Sequence, residues 1–310
     1  MKRSYMKKSH YGFTLIELSI VLVIIGLIIG GILTGQDLIS AAGQRAQIAQ
    51  IEKYNTAVNT FRNKYGSLPG DIPNPYATQF GFPARGQYQG TGNGDGIIAG
   101  AGCNNGSVLC WGGTIEESGE TVLLWVDLSM AGLVDGSFNT ATAYSPPGSD
   151  ITGAAIGSYL PQAKLGQGNY IYAWSGISSW SAGTGDIFTG INYWGISAVV
   201  DIGVTSDNGK MTTDNPGITV QQAYNIDKKM DDGLPQSGSV TAIYLYGSGS
   251  TGDPVWTDGT DTIGSPPSTT ATAGSATTCM DNGNVAGAKK YSVGQNGGTG
   301  MNCGLSFRFQ

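Results

Sequence analysis

The sequence predicts an α+β fold, in which one long N-terminal helix packs on a β-rich, loop-rich head. The first observation is an apolar run at 13–33 that continues without a break into a segment with helical spacing. The second is the stop signal that follows this segment, Gly66 and then Pro69. The third is a series of short β-branched and aromatic runs after residue 150, which are typical of strands.

The apolar run at 13–33 has about the 20 residues that a helix needs to span a bilayer. Residues 1–12 before it are basic, which favours their retention in the cytoplasm. A secretory signal has a cleavage site with small residues after its apolar stretch, whereas here the stretch runs on into GQDLISAAGQRAQIAQ as a continuing helix. Glu17 lies inside the apolar run, where a carboxylate costs roughly 2–3 kcal/mol and indicates a function. A plain signal anchor is the alternative interpretation.

Gly12-Phe13-Thr14-Leu15-Ile16-Glu17 resembles the class III signal of type IV prepilins and type II secretion pseudopilins. The resemblance implies that a prepilin peptidase cuts after Gly12 and N-methylates Phe13, the new first residue. It also implies that Glu17 pairs with the N-terminal amine of a neighbouring subunit during assembly. The expected partners are therefore prepilin peptidase, other pilin or pseudopilin subunits, the inner-membrane assembly platform and the inner-membrane lipid.

Beyond the membrane span, apolar residues recur in steps of three and four, the spacing of one helix face. They are Ile48, Ile51, Tyr54, Val58, Phe61 and Tyr65. The expected organisation is a cleaved leader at 1–12, a membrane or filament-core helix at 13–35, its amphipathic continuation at 36–65, and a disulfide-stapled head at 66–310.

The membrane half of the helix departs from the family pattern at Thr34, where major pilins usually have a proline. Glycines occupy 26, 30, 31 and 35, and each costs a helix about 1 kcal/mol relative to alanine. One interpretation is a segment that loosens in a fibre. The other is close helix packing in lipid.

Within the head, a core helix is predicted at 115–131, with Thr114 and Glu117 as a capping box and Gly132 at its end. Strands are expected in NYIYAW, GISAVVDIGV and SVTAIYLYG, and loops over 247–300.

The four cysteines, an even number in an exported chain, favour disulfides. Three pairings are open, and the nearest-neighbour one, Cys103 with Cys110 and Cys279 with Cys303, is favoured.

Charge and composition restrict the function. Four of the 16 Lys and Arg lie in 1–12, so the mature chain would have 12 against 22 Asp and Glu, a net charge of −10. This acidity argues against nucleic-acid binding. The only histidine, His10, lies in the leader, so histidine-based catalysis is excluded from the mature chain and no enzyme is expected. GSGSTG at 247–252 is followed by no helix, which argues against a dinucleotide site.

Two other features are candidates for binding. Asn93 and Asp95 alternate in the glycine-rich loop TGNGDG, as oxygen ligands do in calcium loops, and a plain turn is the alternative. No other cofactor is expected. The aromatic residues Trp174, Trp180, Tyr193 and Trp194 suggest either a glycan-binding surface or, as we favour, the core of the head.

We therefore predict a structural subunit of a type IV pilus or pseudopilus. Its 298 mature residues are about twice the length usual for major pilins, which favours a minor or tip subunit. The alternative is an adhesin mounted on the filament, whose head binds a surface or a glycan. A membrane-anchored hydrolase is disfavoured by the missing histidine.

Overall fold

A computed structural model describes most of the chain, in two compact units. The units comprise residues 1–43 and residues 44–310, and each is treated separately below. The described residues are 12, 14–86, 90–100, 119–143, 151–175, 190–202, 217–248, 251–257, 278–281, 289–294 and 296–310.

Helix α1, Leu15–Tyr65, confirms the predicted long helix and passes through all of its glycines without interruption. In the first unit its large apolar side chains are exposed, Leu15 by 89% and Ile39 by 75%. In the second unit the predicted apolar face is buried, with Ile48 and Tyr65 partly so. Gly66, at φ +78°, ends the helix, and its N–H donates to the carbonyl of Arg62 at 2.8 Å.

The head is built on a four-stranded antiparallel sheet. Its strands are β2 (Asn169–Ser175), β3 (Asn192–Ala198), β5 (Val240–Thr241) and β10 (Leu305–Arg308). The spatial order is β2-β3-β10-β5, so the last strand of the chain inserts between β3 and β5. Asn169–Ser175 are all buried, because the sheet is covered on both faces.

Shorter antiparallel pairs complete the strand set of the described chain. β1 (Ile151–Thr152) pairs with β4 (Asp201–Ile202), β6 (Ile243–Ser248) with β7 (Thr251–Trp256), and β8 (Met280–Asp281) with β9 (Lys290–Tyr291). The prediction of loops throughout 247–300 was therefore wrong at the end of β6 and in β7, β8 and β9. SVTAIYLYG is also broken at Ala242, whose N–H donates to the carbonyl of Pro235, so β5 and β6 join different sheets.

Among the described residues, the head also contains α-helices, a four-residue helical turn and 3-10 turns at Gly153–Ser158 and Asn296–Gly298. α3 spans Glu120–Met130, all buried up to Leu128, and Gly132 follows its end as predicted. It begins five residues later than expected because Gly119, at φ +96°, is its N-cap, while Thr114 and Glu117 lie outside the described residues. α2 is the four-residue turn Tyr76–Gln79.

Helix α4, Val220–Met230, was not predicted. Thr219 and Gln222 form its capping box, and Val220, Ala223 and Ile226 bury one face at helical spacing. Both signals are visible in the sequence.

An aromatic triad joins three elements of the head. Tyr54 of α1, Trp125 of α3 and Trp194 of β3 have ring centroids 5.0 to 5.8 Å apart. Trp194 also donates its indole N–H to the side-chain oxygen of Asn55 at 2.7 Å, which fixes its orientation against α1. The triad connects α1, α3 and the sheet in one core.

Gly195 in β3 provides a test of this packing. The ring of Tyr172, its cross-strand partner, lies where a Cβ would be placed, 2.0 Å from the nearest ring atom. Gly195→Ala should therefore lower the free energy of unfolding by about 1–3 kcal/mol, measured by denaturant unfolding of the mature chain in detergent. Gly157→Ala is the matched control, because nothing lies within 4 Å of the position that its Cβ would take and its change should stay within about 0.5 kcal/mol. Equal stability of the two variants would contradict the packing.

Candidate functional site

The N-terminal end of α1 is organised by Thr14 and Glu17. Oε2 of Glu17 accepts the backbone N–H and the hydroxyl of Thr14, both at 2.8 Å, while the backbone N–H of Glu17 donates to Oγ1 of Thr14 at 3.3 Å. This is a capping box, which satisfies donors at the start of the helix. Gly12 is exposed, and Phe13 lies outside the described residues.

The helix that follows this cap is long and apolar enough to cross a membrane, by its length and composition. Glu17 therefore brings a carboxylate into an exposed apolar surface. Only Oε2 is bonded by described residues, so Oε1 retains its capacity to accept a further donor.

In the head, the glycine-rich loop at residues 90–100 is held by the carboxylate of Asp71. The backbone N–H groups of Gly94 and Gly96 donate to Oδ1 and Oδ2 of Asp71, at 2.6 and 2.8 Å. Both glycines have φ above +80°, in the left-handed region, which turns alternate N–H groups of the loop to one side. Asp71 is almost fully buried.

Glu120, the first residue of α3, holds the same loop from a second direction. Its Oε1 accepts the N–H of Gly92 at 2.8 Å, and its Oε2 accepts the N–H of Ala99 at 2.9 Å. We call Asp71 and Glu120 together the carboxylate clamp. Four backbone N–H groups of one loop thus donate hydrogen bonds to two buried carboxylates.

The clamp has an unusual electrostatic character. Burial raises the pKa of Asp71 to about 7 and raises the pKa of Glu120 well above its ordinary value. The charge of Asp71 further raises the pKa of Glu120, and Asp95 acts in the same direction on both groups. The backbone N–H groups act in the opposite direction, because they favour the ionised form.

Asn93 and Asp95, the candidate calcium ligands, lie at the exposed side of this loop and bond to each other. The amide of Asn93 donates to Oδ2 of Asp95 at 2.9 Å, and Oδ1 of Asp95 accepts the N–H of Ile97 at 2.8 Å. The loop presents its N–H groups to carboxylates, a pattern that the regular glycines at 90, 92, 94 and 96 signal in the sequence. Calcium binding by Asn93 and Asp95 stays a prediction.

A second carboxylate group lies at the C-terminal end of α4. Oxygens of Asp227, Asp231 and Asp232 lie within 4.8 Å of one another, which is compatible with a metal ion. Each carboxylate already accepts protein hydrogen bonds, and Asp227 binds the hydroxyl of Tyr291 at 2.7 Å and the N–H of Gly233 at 3.0 Å. These carboxylates therefore accept backbone N–H groups of the turn that follows α4.

The predicted cysteine pairs have different outcomes. Cys279 and Cys303 form a disulfide, and both are fully buried. The backbone of Cys303 exchanges two hydrogen bonds with Ile218, which lies just before α4. Strand β10 begins at Leu305, two residues after Cys303. The disulfide thus fastens the start of the central strand. Cys103 and Cys110 lie outside the described residues.

The predicted aromatic group forms core. Trp174, Tyr193 and Trp194 are each at most 3% exposed, and the ring of Trp174 stacks on Tyr193 at 4.7 Å. A glycan-binding surface made of these three residues is therefore wrong. Trp180 lies outside the described residues. Gly247 and Gly252, the first and last residues of GSGSTG, pair across the β6–β7 hairpin.

A groove of 610 Å³ lies beside the part of α1 that belongs to the head. Its polar wall is already satisfied, because the Gln50 amide donates to the carbonyl of Gln162 at 2.9 Å and accepts from the N–H of Lys164 at 3.0 Å. Both polar groups of the Gln50 amide are therefore engaged by the backbone of the groove's own wall.

The structure thus places an exposed apolar helix, with a capped glutamate at its start, before an α+β head. Residues 7–33 match the family model described as the prokaryotic N-terminal methylation motif. This motif is typical of type IV pilins and pseudopilins, and it supports a type IV pilin or pseudopilin-like subunit. No curated protein and no solved structure matches the chain.

The carboxylate clamp predicts how stability depends on pH. Unfolded Asp and Glu release their protons near 3.8 and 4.5, whereas folded Asp71 keeps its proton to about 7. The folded state therefore binds more protons across this interval, and the stability that these protons provide is lost as the pH rises through about 7. Asp227, whose pKa burial also raises to about 7, acts in the same direction.

The free energy of unfolding should thus fall between about pH 5 and pH 8, by on the order of a few kcal/mol. Asp71→Asn should lower stability at pH 5, because an amide leaves one of the two loop N–H groups without an acceptor, and should flatten the decline. Denaturant unfolding of the mature chain in detergent at several pH values measures both effects. Asp135→Asn, at a 95% exposed side chain, is the control that should keep the decline. Stability that rises from pH 5 to pH 8 would contradict the assignment.

Proposed function

We propose that the chain is a structural subunit of a type IV pilus or pseudopilus, cut after Gly12 and N-methylated at Phe13 by a prepilin peptidase. It is assembled through its N-terminal helix. The observation that carries the proposal is the Thr14–Glu17 cap at the start of an exposed apolar helix, inside the methylation motif.

The cap supports a specific chemistry for assembly. Cleavage before Phe13 creates an α-amino group, and an isolated ammonium or carboxylate in lipid is costly. Thr14 binds one carboxylate oxygen of Glu17, so Oε1 is the atom that receives the amine of a neighbouring subunit. The charge pair then favours ordered packing of the apolar helices over separate helices in the membrane.

The same features support a location and a role. Before assembly the helix anchors the chain in the inner membrane, with the head in the periplasm. After assembly the chain belongs to a pilus at the cell surface or to a periplasmic pseudopilus. The length of the mature chain supports a minor or tip subunit, because a bulky head is accommodated more easily where few copies are needed.

A second candidate function is an adhesin mounted on the filament. Among the described residues of the head, the exposed rings of Tyr76 and Phe80 favour it. Other exposed large apolar side chains of the head, such as Val200 and Leu234, lie in separate loops.

Processing is tested by Gly12→Ala. The added methyl group should block cleavage, so mass spectrometry of the protein from membranes should find an intact leader and an unmethylated Phe13. Gly26→Ala is the matched control, because it adds a methyl group at an open helical position and should be processed normally. A methylated Phe13 at the N-terminus of the Gly12→Ala variant would overturn the assigned cleavage site.

Assembly is tested by Glu17→Leu, which removes the carboxylate but keeps the helix apolar. Processing should persist, while incorporation into sheared filaments should fall by about tenfold or more, as expected for losing roughly 2 kcal/mol of charge pairing. Thr14→Ala should have a smaller effect, because it removes a cap worth about 1 kcal/mol.

Glu52→Leu controls for the loss of an exposed glutamate further along α1. Immunoblots of the filament and membrane fractions give, for each variant, the ratio of incorporated to unincorporated protein. Wild-type incorporation of processed Glu17→Leu protein would contradict the role of Glu17.

A further inference from the structure

The end of α1 in the head continues into an aromatic surface. Tyr65, the last helical residue, has its ring centroid 4.5 Å from buried Phe61 and 5.0 Å from buried Phe82. On its other side it meets exposed Phe80 at 5.1 Å. Tilted and edge-on ring contacts therefore run from the core to the solvent, and they hold the outer ring of Phe80 in place.

Helix α2 adds a second exposed aromatic side chain, Tyr76, near Phe80. Tyr76 and Phe80 are four residues apart and joined by the Phe80 N–H to Tyr76 carbonyl bond of 3.0 Å, so they lie on one side of the turn. Their side chains are 56% and 50% exposed. We call Tyr65, Tyr76 and Phe80 the aromatic platform.

A cation lies directly beside the platform. Nζ of Lys64 is 4.9 Å from the centroid of the Tyr65 ring, and Arg62 lies in the same last turn of α1. Within the described part of the chain, neither side chain forms an ion pair. The platform thus combines flat apolar rings with positive charge, on a chain whose mature form is strongly acidic.

The size of the platform distinguishes between classes of ligand. Two half-exposed aromatic side chains present on the order of 200 Å² of accessible surface to a ligand. A stable protein interface needs about 800 Å² from each partner, so the platform is too small to hold a second subunit by itself. A sugar ring suits it better, because its C–H face stacks on an aromatic ring, and a ring carboxylate would meet Lys64.

We propose that the aromatic platform, with Lys64, binds an acidic glycan, one that contains uronate or sialate residues. The exposed rings provide stacking surfaces, and the core sets the position of Phe80 through Tyr65, which reduces the entropy lost on binding. The lysine selects an anionic sugar over a neutral one. The proposal rests on the second candidate function and does not depend on filament assembly.

Glycan binding is tested with the full mature chain in detergent on an array of uronate- and sialate-containing glycans beside neutral ones. Binding isotherms are then measured for an oligogalacturonate and its neutral methyl ester. We expect binding to acidic glycans, preference for the oligogalacturonate over its ester, and weakening with added salt. Failure to bind any acidic glycan on the array would overturn the proposal.

Variants separate the two parts of the platform. Tyr76→Ala with Phe80→Ala should weaken binding by about tenfold or more, because both stacking faces are lost. Lys64→Ala should remove the preference for the acidic over the neutral oligosaccharide. Val200→Ala, at a 52% exposed apolar residue elsewhere in the head, is the matched control and should bind as wild type.

Two other occupants are outcomes of the same experiment. Binding of a single-stranded oligothymidylate in place of glycans, or self-association in sedimentation that the double variant abolishes, would overturn the glycan assignment. Filament incorporation of the double variant is measured in parallel and should be unchanged. A loss of glycan binding with normal incorporation thus separates this proposal from the assembly role of the N-terminal helix.

Discussion

The contact between Tyr54, Trp125 and Trp194 is the constraint on which the head depends. Each ring comes from a different element, so no two elements can shift without opening the centre of the core. Large aromatic side chains bury much apolar area for little loss of side-chain entropy, which suits a chain with 50 glycines. The triad also explains why the C-terminal half of α1 is part of the head: Tyr54 is one of its three rings.

Buried carboxylates solve a second problem that the loop-rich head creates. Irregular backbone near the core needs hydrogen-bond acceptors for its N–H groups. Asp71 and Glu120 supply four acceptors to one loop, and Asp127 accepts the N–H of Gly70 at 2.6 Å while it pairs with the buried guanidinium of Arg85. The few charges of the head therefore organise its loops from inside. The cost is the burial of these carboxyl groups, which raises the pKa values of the clamp, with a smaller contribution in the same direction from neighbouring negative charge.

Parts of the fold that depend on interactions between residues close in the sequence could be predicted, and parts that depend on distant residues could not. α1, its end at Gly66 and the strand at 169–175 depend on local spacing, and the sequence was sufficient for them. The insertion of Leu305–Arg308 between β3 and β5 depends on contacts between residues far apart in the sequence, such as Leu305 with Ile196 and Ser306 with Thr241, which periodicity does not encode. At the candidate site, Glu17 was recognised from its place in an apolar run. The clamp was missed, because Asp71 and Glu120 are ordinary acidic residues until the fold brings them to the same loop.

The apolar surface of the chain is divided unequally, and the division indicates how the subunit can vary. In the unit at 1–43 the described large apolar side chains of α1 are exposed together, next to the cap formed by Thr14 and Glu17. Among the described residues of the head, few large apolar side chains are exposed, and Phe80 is supported by Phe61 and Phe82 through Tyr65. Substitution of the two outer rings removes no contact within the Tyr54–Trp125–Trp194 triad. The ligand preference of the platform can therefore change while the core of the head and the assembly helix stay as they are.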